Sequence, residues 1–278
     1  MKLLANAKLN LTLDIAGKRE DGYHLIDSVF QSISLCDEIN IEKADAVSVV
    51  FSDKTVCPNE SIAYRSALAF FEFTGLKGGA KIYIKNNIPT GSGMGGGSSD
   101  AAAVLKGLDS LYGTRLTTDE LINIAAPIGA DIPFCLVGGT ARVSGIGEKV
   151  SPLPSIGEYP IIIIKDKEKS STADMYRSLD NIKKPPEKTA LLIKAIKNGD
   201  NKEIFKNISN AFSGVTDIEK ERSDLTNSGA SAVGLTGSGP SVFGIFRSKD
   251  IRNKAFDTLS KNHKCFKAEF SEKGIIIE

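Results

Sequence analysis

The sequence predicts an α+β fold divided into two domains, with a glycine-rich loop as its most distinctive feature. The first residues alternate between apolar and polar side chains, a pattern typical of a β-strand with one buried face. The glycines of residues 91–97 separate another alternating segment from a segment with helical spacing. Glycine and proline then cluster at residues 146–160, which indicates a domain boundary near residue 150. We therefore expect one domain over residues 1–150 and a second over residues 151–278.

Composition and charge limit the classes of protein to which the chain can belong. Of its 278 residues, 41% are hydrophobic and 25% are charged, which is ordinary for a globular protein. The 35 basic and 34 acidic residues leave a net charge of +1, which gives no reason to expect nucleic acid as a partner. No apolar run approaches the ~20 residues of a membrane span. The N-terminus also lacks the apolar core of a signal peptide.

The cysteines and histidines argue against disulfides and against zinc. The four cysteines share no Cys-x-x-Cys spacing, and without a secretion signal we expect reduced thiols and a cytoplasmic location. The two histidines do not lie near a cysteine pair with metal-ligand spacing, so a zinc site is not expected. The residues concerned are Cys36, Cys57, Cys135, Cys265, His24 and His263.

The first half begins with a predicted strand at residues 8–15. Its odd positions hold leucine and isoleucine, and its even positions hold polar residues that include Lys8 and Asn10. Because alternate side chains of a strand point to opposite faces, one face is expected to be buried and the other polar. Further strands are expected at residues 27–43, 46–52 and 79–89, and the last of these leads into the glycine-rich loop.

Three helices are expected in the first half. The earliest covers residues 59–75, with Asn59 as candidate N-cap and Gly75 as the stop signal. Another begins at a capping box formed by Thr117 and Glu120. Between them, directly after the glycine-rich loop, apolar residues recur at helical spacing; they are Ala101, Val104, Leu105, Leu108, Leu111 and Tyr112. The loop therefore joins a strand to a helix.

The second half predicts a smaller mixture of strands and helices. Apolar residues on both sides of a glycine turn predict two strands within residues 231–246. The other expected elements are a buried strand at 159–166, helices at 188–200 and 251–262, and a final strand region at 264–278.

The glycine-rich loop, residues 89–100, has the sequence PTGSGMGGGSSD and contains no lysine. A P-loop requires a lysine after its last glycine, and the dinucleotide pattern lacks the acidic residue that should follow it here. A helix N-terminus nevertheless offers unpaired N–H groups, and glycines let the backbone approach an anion closely. Ser98 and Ser99 add hydroxyl donors at that point. The loop fits either a phosphate site whose positive charge comes from elsewhere or a flexible exposed turn.

Three motifs in order resemble those of the galactokinase, homoserine kinase, mevalonate kinase and phosphomevalonate kinase (GHMP) superfamily. The first is AKLNLTLDIAGKREDGYH at residues 7–24, and the second is the glycine-rich loop, in which Met94 replaces a more usual leucine. The third is GLTGSGPSVFGIF at residues 234–246. The resemblance implies the two-domain GHMP-kinase fold. Its N-terminal domain is ribosomal-protein-like and binds ATP, its C-terminal domain is ferredoxin-like, and the active site lies in the cleft between them.

Two further segments narrow the resemblance. GADIPFCLVGGTARVSGIGE at residues 129–148 and SSTADMY at residues 170–176, together with DGYH at residues 21–24, resemble the family of 4-diphosphocytidyl-2-C-methyl-D-erythritol kinases. The resemblance covers the chain from residue 5 to about residue 246. It implies ATP-dependent phosphorylation of the 2-hydroxyl of this small molecule, a step of the non-mevalonate route to isoprenoid precursors.

The same resemblance implies roles for single residues on the substrate side. Asp131 matches the catalytic aspartate and Lys8 its partner lysine; the structural alternatives are a helix N-cap and a solvent-facing lysine. Asn10 matches a substrate-binding asparagine, and His24 the residue that binds the cytosine edge. The remaining substrate-binding matches are Tyr23 and Tyr176, which would sandwich the cytosine ring, and Thr172.

On the nucleotide side, the resemblance implies ATP and Mg²⁺ as cofactors. Ser99 is a candidate magnesium ligand, and no glutamate partner can be identified. The ATP-binding matches are Pro89, Gly91, Gly93, Met94, Gly95, Gly96, Gly97, Ser98 and Ser99 in the loop, Gly237, Ser238 and Gly239 facing it, and Asn59 and Lys85 towards the adenine. The oligomeric state stays open between monomer and homodimer.

Three alternatives compete with this interpretation. The first is another small-molecule kinase of the superfamily, of the homoserine or mevalonate type, which the DGYH and SSTADMY segments disfavour. The second is a catalytically inactive member that acts as a nucleotide-binding regulator, which the presence of Lys8 and Asp131 disfavours. The third is a nucleic-acid binder, which the balanced charge and the lack of basic clusters with interleaved aromatics disfavour.

Overall fold

The computed structural model describes residues 1–168, 171–180 and 187–278, and for residues 172 and 173 only the backbone. These residues form twelve strands and nine α-helices, which confirms the α+β class. The strands are β1 Lys2–Lys18, β2 His24–Ala44, β3 Ser48–Phe51, β4 Gly79–Lys85, β5 Thr140–Gly145, β6 Lys149–Pro152, β7 Pro160–Ile164, β8 Ser209–Asn210, β9 Ala232–Leu235, β10 Val242–Ile245, β11 Cys265–Glu269 and β12 Ile275–Ile277. The helices are α1 Ile62–Thr74, α2 Gly96–Tyr112, α3 Thr118–Ala125, α4 Ile132–Val137, α5 Thr172–Leu179, α6 Thr189–Lys197, α7 Asn201–Lys206, α8 Glu219–Asn227 and α9 Lys249–Leu259.

The larger sheet is built on a long antiparallel pair, β1 and β2. Its order is β12-β1-β2-β4-β3, and β5 and β6 extend it from β2. Register shifts occur in β1 between Asn6 and Lys8 and between Asn10 and Thr12, as expected where a strand bulges and re-aims its side chains. The polar face of β1 is present but is not exposed to solvent: Lys8, Asn10 and Thr12 are all at most 3% exposed. Both halves of the chain cover it, with Asp131 next to Lys8 and the Gly237 N–H on Asn10.

A smaller antiparallel sheet organises the second half, in the order β11-β7-β10-β9. The predicted strand pair around the glycine turn is confirmed as β9 and β10, which pair antiparallel. The four isoleucines of β7 are fully buried, with two on each side of the sheet. Ile161 and Ile163 belong to the same apolar cluster as Leu9 and Leu11 of β1, so this cluster joins the two sheets.

Most helix predictions of the first half are confirmed, with one correction. The capping box of Thr117 and Glu120 is present, and α2 follows the glycine-rich loop directly. Asn59 is not the N-cap of α1, because it lies in a separate 3₁₀ turn, Pro58–Glu60. The cap is Ser61, whose hydroxyl accepts a hydrogen bond from the Tyr64 N–H.

Two strands of the second half pair with the larger sheet. β8 pairs with β1 in parallel, and β12 pairs with β1 antiparallel. The division of the chain at residue 150 stays a prediction, since these pairings cross it. Within residues 1–168, 171–180 and 187–278, no helix has both the length and the apolar character that a membrane crossing requires.

The return of the chain to β1 brings two backbones into close contact beside α4. The N–H of Asn6 donates to the Gly274 carbonyl at 2.8 Å. A Cβ at Gly274 would lie 2.1 Å from the carbonyl oxygen of Cys135 in α4, too close for any side chain. Gly274 therefore sets how closely β1 and α4 can approach, and these elements carry Lys8 and Asp131.

We expect Gly274→Ala to lower the free energy of unfolding by about 3 kcal/mol, because neither backbone can move without breaking its pairing. Urea unfolding followed by circular dichroism measures the effect. The matched control is Gly17→Ala, since a Cβ there meets only the end of Leu25 at 3.7 Å. Equal stabilities of the two variants would contradict the assignment.

Candidate active site

A cavity of about 520 Å³ opens between β1, the glycine-rich loop, α4 and the turn between β9 and β10. Residues from both halves of the chain line it. Among the predicted site residues, those lining it are Lys8, Asn10, Pro89, Gly91, Gly93, Gly95, Gly96, Gly97, Ser98, Asp131, Tyr176, Gly237 and Ser238. The structure therefore brings most of the predicted site residues together around one cavity.

Lys8 is a buried cation at the centre of this cavity. Its side chain is only 4% exposed, and its Nζ lies 3.4 Å from Oδ2 of Asp131. The same ammonium donates to Oδ1 of Asn10 at 2.8 Å and lies 4.4 Å from the ring centroid of Phe30. A buried charge is tolerated only when it is paired and hydrogen-bonded, and these three partners meet that condition.

Asp131 occupies the N-cap position of α4 but makes no capping hydrogen bond with its side chain. Its side chain is 32% exposed and faces both Lys8 and the cavity. A carboxylate that only ended a helix would accept an N–H of the first turn. The N-cap alternative therefore does not account for the orientation of this side chain.

At two positions of the glycine-rich loop, a side chain would collide with neighbouring atoms. Gly93 has φ 77°, and a Cβ there would lie 2.6 Å from the carbonyl oxygen of Thr236. Gly95 has φ 73° and is the N-cap of α2, and a Cβ there would lie 3.1 Å from Cγ of Lys8. The loop is therefore packed between the β9–β10 turn and Lys8, which excludes the flexible exposed turn.

The side-chain amide of Asn10 connects Lys8 to the turn between β9 and β10, and both its oxygen and its nitrogen are hydrogen-bonded. Its Oδ1 accepts hydrogen bonds from Lys8 Nζ at 2.8 Å, from the Gly237 N–H at 2.8 Å and from the Thr236 hydroxyl at 3.3 Å. Its Nδ2 donates to the Ser28 hydroxyl at 3.2 Å. Asn10 thereby ties β1 to the turn between β9 and β10.

Five predicted ATP-binding residues do not line the cavity. Met94 is fully buried in the apolar cluster shared by the sheets. The buried hydroxyl of Ser99 donates to the Asn6 carbonyl at 2.7 Å. Lys85 forms an ion pair with Glu38 at 2.7 Å. The other two are Asn59, in its 3₁₀ turn, and Gly239.

The predicted nucleobase-binding residues form a second cluster beside the cavity. The rings of His24 and Tyr176 are stacked, with centroids 4.9 Å apart and planes at 22°. Burial, followed by the charge of Asp131, raises the pKa of Tyr176 to about 12, so its hydroxyl stays protonated. Tyr23 is 62% exposed. The backbone of Thr172 begins α5, but its side chain lies outside the described residues.

Asp180 was not predicted from the sequence, although it holds His24. Its Oδ1 lies 2.8 Å from Nε2 of His24, and its Oδ2 accepts from Lys18 Nζ at 2.7 Å. Hydrogen bonds from Lys18 and His24 lower the pKa of Asp180 to about 2. The only sequence signal is its position one helical turn after Tyr176, which by itself points to no role.

Metal binding has no preformed centre in the described part of the chain. Among these residues, no three His, Cys, Asp or Glu side chains converge so that they could hold a metal ion. Ser99, the predicted magnesium ligand, does not fit that role, because its hydroxyl is fully buried and bonded to the backbone.

Comparison with known proteins shows which family this chain resembles. Family models described as GHMP kinases N terminal domain and GHMP kinases C terminal match residues 61–139 and 192–265. The 4-diphosphocytidyl-2-C-methyl-D-erythritol kinase of Caldicellulosiruptor saccharolyticus is 45% identical over 269 residues, which cover 93% of this chain and 92% of that protein.

Solved structures agree with this likeness. The crystal structure of a 4-(cytidine 5'-diphospho)-2C-methyl-D-erythritol kinase aligns with a TM-score of 0.80 and 30% identity, covering 98% of this chain and 99% of the other. A homoserine kinase from Cytophaga hutchinsonii aligns with a TM-score of 0.73 at 18% identity, covering 100% of this chain and 97% of the other. The second likeness is one of fold alone.

We expect Asn10→Ala to lower the free energy of unfolding by about 1–3 kcal/mol, because it leaves the Gly237 N–H and the Lys8 ammonium without a buried acceptor. Urea unfolding measures the loss. The control is Asn40→Ala, since Asn40 is an exposed residue of β2. If Asn10→Ala lowers the free energy of unfolding no more than Asn40→Ala does, the hydrogen bonds of Asn10 between the two halves do not contribute to stability.

Proposed function

The chain belongs to the 4-diphosphocytidyl-2-C-methyl-D-erythritol kinases, within the GHMP kinases, and on this premise we propose how its own residues carry out the reaction. The chain is a kinase that transfers the γ-phosphoryl group of ATP to the 2-hydroxyl of the cytidylated methylerythritol. The observation that carries the proposed residue roles is the Lys8–Asp131 pair, 3.4 Å apart, at the wall of the cavity beside Gly95 of the glycine-rich loop.

The glycine-rich loop and the start of α2 bind the ATP phosphates in this proposal. The first N–H groups of α2 have no partner within the helix, and the helix dipole adds partial positive charge there. Gly96, Gly97 and Ser98 present this backbone to the cavity. Gly237 and Ser238 face the same space from the second half, so the nucleotide is bound between the two halves.

Asp131 and Lys8 act on the attacking hydroxyl. Its oxygen forms a bond to the γ-phosphorus as the bond from that phosphorus to the β,γ-bridging oxygen breaks, and ADP leaves. The hydroxyl proton passes to the carboxylate of Asp131, which faces the cavity beside the Lys8 ammonium. Lys8 also places positive charge beside the transferring phosphoryl group, which the loop itself cannot do because it contains no lysine.

The stacked pair of His24 and Tyr176 binds the cytidine end of the substrate. An aromatic face and a ring nitrogen together suit a nucleobase, which is flat and carries hydrogen-bonding groups at its edge. Asp180 holds one ring nitrogen of His24, so the other nitrogen is left for the base. Tyr23, which is exposed, would have to move to cover the second face of the base.

Mg²⁺ is proposed only as the usual companion of ATP. When bound, it neutralises phosphate charge, and it is commonly held by phosphates and water with one or two carboxylates. Ser99 does not fit as its ligand, because its hydroxyl donates to the Asn6 carbonyl. The proposal includes a cytoplasmic location, where reduced thiols are usual.

The assay that tests the function measures ADP release by the purified protein with Mg·ATP. The cytidylated methylerythritol is compared with mevalonate and homoserine. Release with the cytidylated substrate alone is the expected result. Release with a substrate that lacks cytidine would favour the other superfamily kinases, and tight ATP binding without release would favour an inactive regulator.

We expect Asp131→Asn and Lys8→Ala each to lower kcat by at least about a hundredfold, since each removes a group that acts in the transition state. ATP binding, measured by calorimetry, should stay close to that of the native protein. Asp109→Asn serves as the control for an aspartate outside the cavity. Unimpaired turnover of Asp131→Asn would show that the assigned base is wrong.

We expect His24→Ala to raise the KM of the cytidylated substrate about tenfold with little change in kcat, because the imidazole binds a part of the substrate that does not react. Steady-state kinetics with ATP held at saturation measures this split. A fall in kcat at unchanged KM would argue against the role in binding cytosine.

A further inference from the structure

We propose that Asp100 donates a hydrogen bond to Asp37 and that this carboxyl pair positions both ends of the glycine-rich loop for ATP. The two residues lie beneath the loop, and neither touches the reacting atoms in the mechanism above. They are therefore positioning residues. The inference rests on the proposed binding of ATP phosphates by this loop.

Asp37 holds the segment that enters the loop. It lies on β2, is 1% exposed, and its Oδ1 accepts the N–H groups of Asn87 at 2.5 Å and Ile88 at 2.7 Å. These two residues directly precede Pro89, the first residue of the loop. The carboxylate thus fixes the backbone at the point where the chain leaves β4 for the loop.

Asp100 holds the segment that leaves the loop. It lies in the second turn of α2, is 2% exposed, and follows Gly96 by one helical turn, on the face of the helix that packs against Oδ2 of Asp37. Its Oδ1 is buried and has no hydrogen-bond partner among the residues that the structure describes. The pair therefore links α2 through β2 to Asn87 and Ile88, and closes the base of the loop.

One proton must lie between the two carboxyl groups, because a hydrogen bond between two carboxylates has no donor. Burial raises the pKa of Asp37 as well, but the N–H groups of Asn87 and Ile88 act against that rise by bonding its charged form. No such donor reaches Oδ1 of Asp100, so the proton belongs to Asp100. Burial, followed by the charge of Asp37, raises the pKa of Asp100 well above its usual range, in agreement with this assignment. On α4, burial raises the pKa of the Cys135 thiol to about 12, so this neighbouring group is neutral too.

The loop has little room to adjust if this link is lost. A Cβ at Gly96 would lie 3.1 Å from Cγ2 of Ile88 and 3.8 Å from Oδ2 of Asp37. The start of α2 is thus packed directly on the segment that Asp37 holds. A shift of Ile88 would move Gly96, whose backbone N–H is among those proposed to meet the phosphates.

The test compares Asp100→Asn with Asp100→Ala. Asparagine supplies the same hydrogen bond from its amide without a titratable proton, and alanine supplies none. We expect the Kd and KM of ATP to rise about tenfold in Asp100→Ala and to stay within about threefold of the native values in Asp100→Asn. The KM of the cytidylated substrate and kcat should change little in both variants.

Asp109→Ala is the matched control on the same helix. Asp109 accepts hydrogen bonds from Thr114 and from the Leu116 N–H at the far end of α2, so its loss weakens the helix without touching the loop. If Asp100→Ala does not fold, Asp100→Leu takes its place, because leucine fills a similar volume without a donor. The Kd of ATP, measured by calorimetry, needs no phosphoryl transfer, so this test is independent of the activity assay.

Three results would overturn the inference. The first is a loss of ATP affinity in Asp100→Asn as large as that in Asp100→Ala. The second is a native Kd for ATP in folded Asp100→Ala or Asp100→Leu. The third is an equal rise in the KM of both substrates that Asp109→Ala reproduces, which would indicate general loosening of α2.

Discussion

The buried ammonium of Lys8 is the constraint on which the arrangement of the site depends. A charge in the interior of a protein must have partners, and these come from three separate parts of the fold. Asp131 comes from α4, Asn10 from the same strand two residues on, and the face of Phe30 from β2. Because Asn10 also accepts the Gly237 N–H, satisfying Lys8 draws the second half of the chain against the first. The position of the Lys8–Asp131 pair and the closure of the cavity thus follow from one buried cation.

The absence of lysine from the glycine-rich loop has the same origin. The loop packs against a strand that already carries a buried cation, so Lys8 places positive charge beside the loop without belonging to it. Two of its glycines are needed for this packing: Gly93 contacts the backbone of Thr236, and Gly95 contacts the aliphatic part of the Lys8 side chain. A side chain at either position would push the loop away from its neighbours and so increase its distance from the Lys8 ammonium.

Local patterns in the sequence predicted the elements, and most of the site residues that the resemblance implied line the cavity. Alternation identified β1, and helical spacing identified α2, because both signals lie within neighbouring residues. Alternation identified the polar face of β1 but not its burial, which depends on residues far away along the chain. Asp180 and the pairing of Asp37 with Asp100 went unpredicted for the same reason. Their partners are far away along the chain, and no local spacing marks them.

The pairing of β12 with β1 has a consequence for how the protein is made. Leu3, Leu4 and Ala5 pair on one side with β2 and on the other with Ile275, Ile276 and Ile277. During synthesis on the ribosome, the second of these edges stays open until almost the whole described chain has been translated. An open edge of apolar residues is a template for pairing with other chains, and pairing over such a sequence separation is slow. The nascent chain therefore passes through a long interval in which its first strand is its most aggregation-prone part, and chaperones would act on it then.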